Sequence, residues 1–142
     1  MGKRTTILVV DSNVGFATML HESLEQSGDY RATVAHTGSE ALEMASSQTF
    51  DLAIVDLGIN ASDGLDGAAV ARRLRREQPG LRLMLIPLEG DVLSDDVADL
   101  SVQNVLPKPF FLPDLPAMIE EALTQPMAES EAPDQLEEPE KR

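Results

Sequence analysis

Residues 5–124 alternate short runs of aliphatic and β-branched residues with longer amphipathic stretches. The five runs stand at residues 6–10, 30–35, 52–55, 81–86 and 102–106. Near-continuous apolar runs of this length are typical of strands that are buried on both faces. Because amphipathic stretches separate them, the pattern predicts a doubly wound α/β fold around one parallel sheet.

The stretches between the runs carry the spacing of amphipathic helices. In the first stretch Phe16, Leu20 and Leu24 recur every four residues, and Gly28 follows as a stop signal. The second helix is indicated by Ala41, Leu42 and Ala45, and the third by Val70 and Leu74. The last helix is indicated by Leu115, Met118, Ile119 and Ala122, with Pro113 in its first turn. The window 91–100 has the weakest periodicity, so the fourth of five predicted helices is expected to be short or mobile.

Composition limits the class of protein. The chain has 142 residues, which suits one domain, and no cysteine, which excludes disulfides and thiolate metal sites. No apolar run approaches the roughly 20 residues that a membrane span needs, and residues 1–4 do not begin a signal peptide. A net charge of -14 disfavours direct nucleic-acid binding. These features predict a soluble cytoplasmic domain that binds neither nucleic acid nor membrane.

Residues 125–142 differ from the rest of the chain. They contain three prolines, six acids and two bases, with few sizeable apolar residues. Such a segment buries too little surface to order itself. We therefore expect one domain over residues 1–124 and a disordered acidic tail, or a linker to another domain, over residues 125–142.

Four arginines crowd the third predicted helix. They are Arg72, Arg73, Arg75 and Arg76. A solvated helix face is a simpler interpretation of this cluster than a docking patch. His21 and His36 lack a second histidine at ligand spacing, so we assign neither of them to metal binding or catalysis.

Charged residues follow three of the predicted strands. Asp11, Asp56 and Lys108 stand at or just beyond strand ends, where parallel α/β sheets place their sites. Two carboxylates held close together repel each other unless a cation lies between them, and Mg²⁺ prefers such oxygen ligands. A metal beside a nucleophilic carboxylate and a lysine is an arrangement for phosphoryl transfer.

Several motifs together resemble response-regulator receiver domains of two-component signal transduction. The motifs are Ile7-Leu8-Val9-Val10-Asp11, Gly38-Ser39-Glu40-Ala41-Leu42, Phe50-Asp51-Leu52-Ala53-Ile54-Val55-Asp56, Asp66-Gly67 and Lys108-Pro109-Phe110. They follow the order of the family and roughly its spacing, over residues 5–123. The resemblance implies a CheY-like, flavodoxin-like (βα)5 fold with a parallel five-stranded sheet in the order 2-1-3-4-5.

The same resemblance assigns roles to individual residues. Asp56 would accept the phosphoryl group, and Lys108 would contact it. Asp11, Asp56 and the backbone carbonyl of Gly58 would bind Mg²⁺. The Lys108–Pro109 peptide bond would be cis.

Three residues depart from the family pattern. Ser12 stands where receivers usually have a second acid, which predicts weak Mg²⁺ binding. Pro87 stands where a Ser or Thr normally bonds the phosphoryl group, and Val105 replaces the aromatic residue that moves on activation. The usual switch therefore cannot operate in its familiar form. The loop after Asp56 also lacks the common Met-Pro pair and is three residues longer.

Two functions remain open at this point. In the first, a sensor histidine kinase or phosphotransfer protein phosphorylates Asp56, and an attached output domain or separate effector reads the change. The domain would then be a signalling switch that catalyses only its own phosphorylation and dephosphorylation. In the second, it is a pseudo-receiver that signals through constitutive protein contacts, as Ser12, Pro87 and Val105 would favour. A homodimer is compatible with both functions.

Overall fold

The computed structural model describes residues 4–89, 93 and 95–125 as a five-stranded parallel sheet with helices on both faces. The strands are β1 (Thr5–Val10), β2 (Tyr30–Ala35), β3 (Leu52–Asp56), β4 (Arg82–Ile86) and β5 (Asn104–Val105). The α-helices are α1 (Val14–Gln26), α2 (Gly38–Ser47), α3 (Gly67–Glu77) and α4 (Leu115–Thr124). The strand order β2-β1-β3-β4-β5 confirms the predicted fold and topology.

Alternate residues of the central strands supply two separate cores. In β1, Ile7 and Val9 face one side of the sheet, whereas Leu8 and Val10 face the other. Helices α1 and α4 cover the first side, and α2 and α3 cover the second. Since successive side chains of a strand point to opposite faces, a strand buried on both faces must be apolar throughout.

Local sequence signals begin and end the helices. Asn13, Thr37 and Asp66 are the N-cap residues of α1, α2 and α3, and each side chain accepts a hydrogen bond from a backbone N–H in the first turn. Gly28 follows α1 with φ of 81°, a backbone conformation that suits glycine and ends the helix. These caps place the first turn of each helix beside the carboxyl edge of the sheet.

The fourth helix, which was expected to be short or mobile, is a single 3₁₀ turn, Asp95–Val97, in the described residues of the window 91–100. Aspartate is a weak helix former and often bonds local backbone groups instead. Pro113 lies in a second 3₁₀ turn, Leu112–Asp114, and Pro116 occupies the first turn of α4 in its place. Residues 90–92 and 94 lie outside the described residues.

β5 is shorter than the run at residues 102–106 predicts. Polar side chains here take hydrogen bonds that backbone groups of a longer strand would form. Asn104 Oδ1 accepts from the N–H of Val105 at 2.9 Å, and Gln103 Oε1 accepts from the N–H of Leu83 at 2.8 Å. The strand therefore keeps its place in the sheet with only two residues.

One arginine of α3 is part of the interior, which corrects the interpretation of this cluster as a solvated face. Arg75 is only 7% exposed and donates hydrogen bonds to the carbonyls of Leu81 and Ser101 and to the side chain of Gln103. It joins α3 to the chain before β4 and before β5. Arg73 and Arg76 are exposed as expected. A buried arginine must have such partners because its charge is costly to desolvate.

No helix in the described part of the chain is long and apolar enough to cross a membrane. The predicted acidic tail lies outside the described residues, apart from Gln125.

We predict that Arg75→Ala lowers the free energy of unfolding by about 2–4 kcal/mol, because it removes the donor of the hydrogen bonds to the carbonyls of Leu81 and Ser101. Arg76→Ala, one position along the same helix but exposed, should change it by less than about 0.5 kcal/mol. Urea denaturation followed by circular dichroism measures both. Equal midpoints for the two variants would contradict a structural role for Arg75.

Candidate functional site

The three charged residues predicted at strand ends lie together at the carboxyl edge of the sheet. Asp11 follows β1, Asp56 is the last residue of β3, and Lys108 lies just beyond β5. Lys108 Nζ is 3.2 Å from Asp11 Oδ2 and 3.2 Å from Asp56 Oδ2. One ammonium group therefore bridges two carboxylates. The Lys108–Pro109 peptide bond is cis.

Asp11 is the most buried member of the cluster, with a side chain that is 1% exposed. Its Oδ1 accepts a hydrogen bond from the N–H of Asn13 at 2.9 Å, and its own N–H donates to the carbonyl of Ala35 at 3.0 Å. Burial raises the pKa of Asp11, and the charge of Asp56 adds to that rise; the Asn13 hydrogen bond and Lys108 oppose it. A second cation near Asp11 would thus be electrostatically favourable.

The two carboxylates keep Lys108 charged. Its burial opposes the charged form, but the hydrogen bond and charge of Asp56, together with those of Asp11, raise the pKa of Lys108 above its usual value. An ammonium in this position can attract and neutralise an anion that approaches Asp56.

Asp56 is oriented by the chain that follows it. Its Oδ1 accepts a hydrogen bond from the N–H of Gly58 at 2.8 Å, while Oδ2 contacts Lys108. A Cβ atom at position 58 would lie 3.3 Å from Asp56 Oδ1, so glycine keeps this approach open. The side chain of Asp56 is 13% exposed and can be reached from solvent.

The oxygen donors suit a hard divalent cation, although they are few. Asp11 and Asp56 supply carboxylates, and the backbone carbonyl of Gly58 follows two residues after Asp56. Among residues 4–89, 93 and 95–125, no group of three or more His, Cys, Asp or Glu side chains could hold a metal ion. The donor set therefore fits Mg²⁺ with fewer charged ligands than a site with three carboxylates.

Ser12 holds the long loop that follows β3. Its Oγ accepts a hydrogen bond from the N–H of Asn60 at 3.2 Å. Further along, Asp63 accepts from the N–H groups of Ser39 and Leu65 at 2.9 and 3.0 Å. The loop is thus tied to the chain after β1 and to the first turn of α2. The sequence indicated a different loop here but gave no sign of these anchors.

The other two residues that depart from the family pattern, Pro87 and Val105, lie at the strand positions that the sequence predicts. Pro87 is buried directly after β4, and Val105 is half-buried in β5. Neither offers a hydroxyl group to the cluster of Asp11, Asp56 and Lys108.

The structure also brings two residues to the site that sequence reasoning did not assign to it. The ring of Phe16 lies under Lys108 Nζ, which is 4.0 Å from the ring centroid. His36 Nδ1 lies 3.0 Å from the backbone oxygen of Asp11. The sequence placed Phe16 only in the apolar pattern of a helix, and His36 has no second histidine at ligand spacing, so neither residue could be assigned to the site.

The family is decided by comparison with known proteins. The family model of the response regulator receiver domain matches residues 7–120, which is most of the chain. The chain belongs to the response-regulator receiver family. It is therefore a signalling domain, and the CheY-like fold follows from the same membership.

Known receivers place the chain among proteins of two-component systems. It is 34% identical over 128 residues to the response regulator MprA of Mycobacterium avium, which is 89% of this chain and 54% of that protein. The chain thus spans about half the length of the curated relatives it matches.

Solved structures give the same result. The non-phosphorylated HemR receiver domain of Leptospira biflexa is 25% identical, with a TM-score of 0.73 over 88% of this chain and 98% of that chain. A response regulator of Burkholderia pseudomallei, solved with a phosphorylated aspartic acid, calcium ion and citrate, is 27% identical. Its TM-score is 0.69 over 86% of this chain and 75% of that chain.

The loop anchor at Asp63 predicts a pH-dependent stability. Hydrogen bonds from the N–H groups of Ser39 and Leu65 hold the pKa of Asp63 below its usual 3.8, so its ionised form stabilises the folded receiver. That contribution is present above pH 3.8 and is lost as the pH falls below it. We predict that Asp63→Asn is less stable than wild type at neutral pH and that the difference shrinks on acidification. Urea midpoints on both sides of pH 3.8 measure this, and a constant difference would contradict it.

Proposed function

We propose that this receiver accepts a phosphoryl group on Asp56 from the phosphohistidine of a sensor histidine kinase or phosphotransfer protein. The observation that carries the proposal is the bridge from Lys108 Nζ to both Asp56 and Asp11 at 3.2 Å. A reachable carboxylate, a buried carboxylate and a shared ammonium are the parts that phosphoryl transfer to an aspartate requires.

The transfer exchanges one bond to phosphorus for another. A carboxylate oxygen of Asp56 forms the new P–O bond, and the P–N bond to the donor imidazole breaks, leaving the electron pair on that nitrogen. The ammonium of Lys108 offsets the charge of the phosphoryl oxygens. The N–H of Gly58 holds Asp56 Oδ1 at 2.8 Å and so restricts rotation of the nucleophile.

In this proposal Asp11, Asp56 and the carbonyl of Gly58 hold Mg²⁺, which supplies positive charge to the phosphoryl oxygens when it is bound. Binding is weak because Ser12 is neutral and adds no negative charge to the site, where a second acid would. The Burkholderia pseudomallei structure contains a phosphorylated aspartic acid and a calcium ion. The first supports phosphorylation of Asp56, and the second supports a divalent cation at the site.

The domain relays its signal through protein contacts. The additional length of relatives such as MprA supports an attached output domain or a separate effector as the partner. The lack of cysteine supports a cytoplasmic location. The net charge of -14 supports a domain that does not itself bind nucleic acid. Pro87 and Val105 favour a second candidate, a pseudo-receiver whose contacts do not depend on phosphorylation.

Intact-mass spectrometry after incubation with a small phosphodonor tests the two candidates. We expect wild type to gain one base-labile phosphoryl adduct that requires Mg²⁺, and Asp56→Ala to gain none because the nucleophile is absent. Asp99→Ala serves as the control, since its carboxylate pairs with Arg72 on the surface. An unmodified wild-type protein under forcing conditions would instead support the pseudo-receiver.

A second prediction concerns the weak metal site. Ser12→Asp adds a carboxylate to the cluster and should strengthen Mg²⁺ binding by roughly tenfold or more. Ser12→Asn is the matched control, because it can also accept the hydrogen bond from Asn60 but adds no charge. Isothermal titration of each unphosphorylated variant with Mg²⁺ gives the affinities. Equal affinities of the two variants would show that Asp11 and Asp56 do not hold the metal beside position 12.

A further inference from the structure

The hydrogen bonds that Lys108 forms with Asp11 and Asp56 are too long to fix the position of its ammonium group on their own. Hydrogen bonds between an ammonium and a carboxylate are usually 2.7–2.9 Å long, yet both carboxylate contacts of Lys108 Nζ are 3.2 Å. The lysine side chain is 34% exposed and carries a flexible four-carbon stem. Two long hydrogen bonds restrict this partly exposed lysine less than two short ones would.

The aromatic ring of Phe16 supplies a third contact. Lys108 Nζ lies over the face of this ring, 4.0 Å from its centroid. The face of an aromatic ring is electron-rich and attracts a cation within about 6 Å. Because Phe16 is half-buried, the attraction acts in a partly water-free setting, where it is stronger than on an open surface.

The ring itself is held in place from two directions. Asn13 donates its N–H to Asp11 Oδ1 and accepts the N–H of Phe16 on its side chain, each at 2.9 Å. The start of α1, and with it Phe16, is thus tied to a carboxylate of the site. On the other side, the ring of Phe110 meets Phe16 nearly edge to face, at 6.0 Å and 84°.

We propose that Phe16 is a positioning residue for phosphoryl transfer, whose ring face holds the Lys108 ammonium between Asp11 and Asp56. This role rests on the proposed function, because it acts on the lysine that would contact the phosphoryl group. The ring contributes to the rate through its electron density, and an aliphatic side chain of similar size does not replace it.

Phosphorylation rates with a small phosphodonor and Mg²⁺ test the role. Phe16→Leu keeps an apolar side chain but removes the ring, and should slow phosphorylation by roughly threefold to tenfold. Phe16→Tyr keeps a comparable ring face and should retain most of the wild-type rate. Phe111→Leu is the matched control, since Phe111 is 67% exposed, and should react like wild type.

A series of fluorinated phenylalanines at position 16 separates the electrostatic role from packing. One, two and three ring fluorines withdraw electron density from the ring face stepwise while changing its shape little. We expect the rate to fall with each fluorine toward that of Phe16→Leu. A flat series, with wild type still phosphorylated, would overturn the role of Phe16 and leave the proposed function standing.

Nuclear magnetic resonance gives a readout that does not require phosphorylation. The ε-methylene protons of Lys108 should resonate upfield in wild type because of the ring beneath them, and should lose that shift in Phe16→Leu. Unshifted wild-type protons would overturn the placement of Lys108 by Phe16. Shifted protons in a wild-type protein that accepts no phosphoryl group would overturn the proposed function and, with it, the catalytic part of this proposal.

Discussion

The ammonium of Lys108 between two carboxylates is the interaction on which the rest of the site depends. Asp11 is almost wholly buried and lies within reach of the same cation as Asp56. Two such carboxylates without a cation would repel each other or take up a proton. The carboxyl ends of β1, β3 and β5 are the elements that hold these charges, so the parallel sheet positions the site.

Around this cluster, backbone N–H groups restrict the acidic side chains. The N–H of Asn13 donates to Asp11 Oδ1, and the N–H of Gly58 donates to Asp56 Oδ1. The Oδ2 atom of each aspartate is then available to Lys108. Ser12 and Asp63 then hold the long loop after β3. A residue that differs from the family pattern, Ser12, thus has a definite structural task here. The difference removes a charge from the cluster, while the hydroxyl of Ser12 still accepts the N–H of Asn60.

Much of the architecture could be predicted from the sequence, because it depends on local signals. Apolar runs predicted β1 to β4 closely, and Asp11, Asp56 and Lys108 were recognised as strand-end charges. The weak period over residues 91–100 matches the short 3₁₀ turn found there. The predicted length of β5 was wrong, since polar side chains such as Asn104 compete for backbone hydrogen bonds in ways that periodicity does not record. The interior position of Arg75 was missed because a helix rich in arginine has the pattern of a solvated face.

By itself the sequence determined the fold class, the strand order through the family resemblance, and which charged residues stand at strand ends. These properties depend on hydrophobic periodicity and on the order of motifs, both of which are local features of the sequence. Only the tertiary structure decided that Lys108 contacts both carboxylates and that Phe16 lies beneath it, 92 positions away in the chain. Contacts of this kind depend on how α1 and the loop after β5 pack against the sheet, and side-chain distances across elements are not encoded in any local pattern.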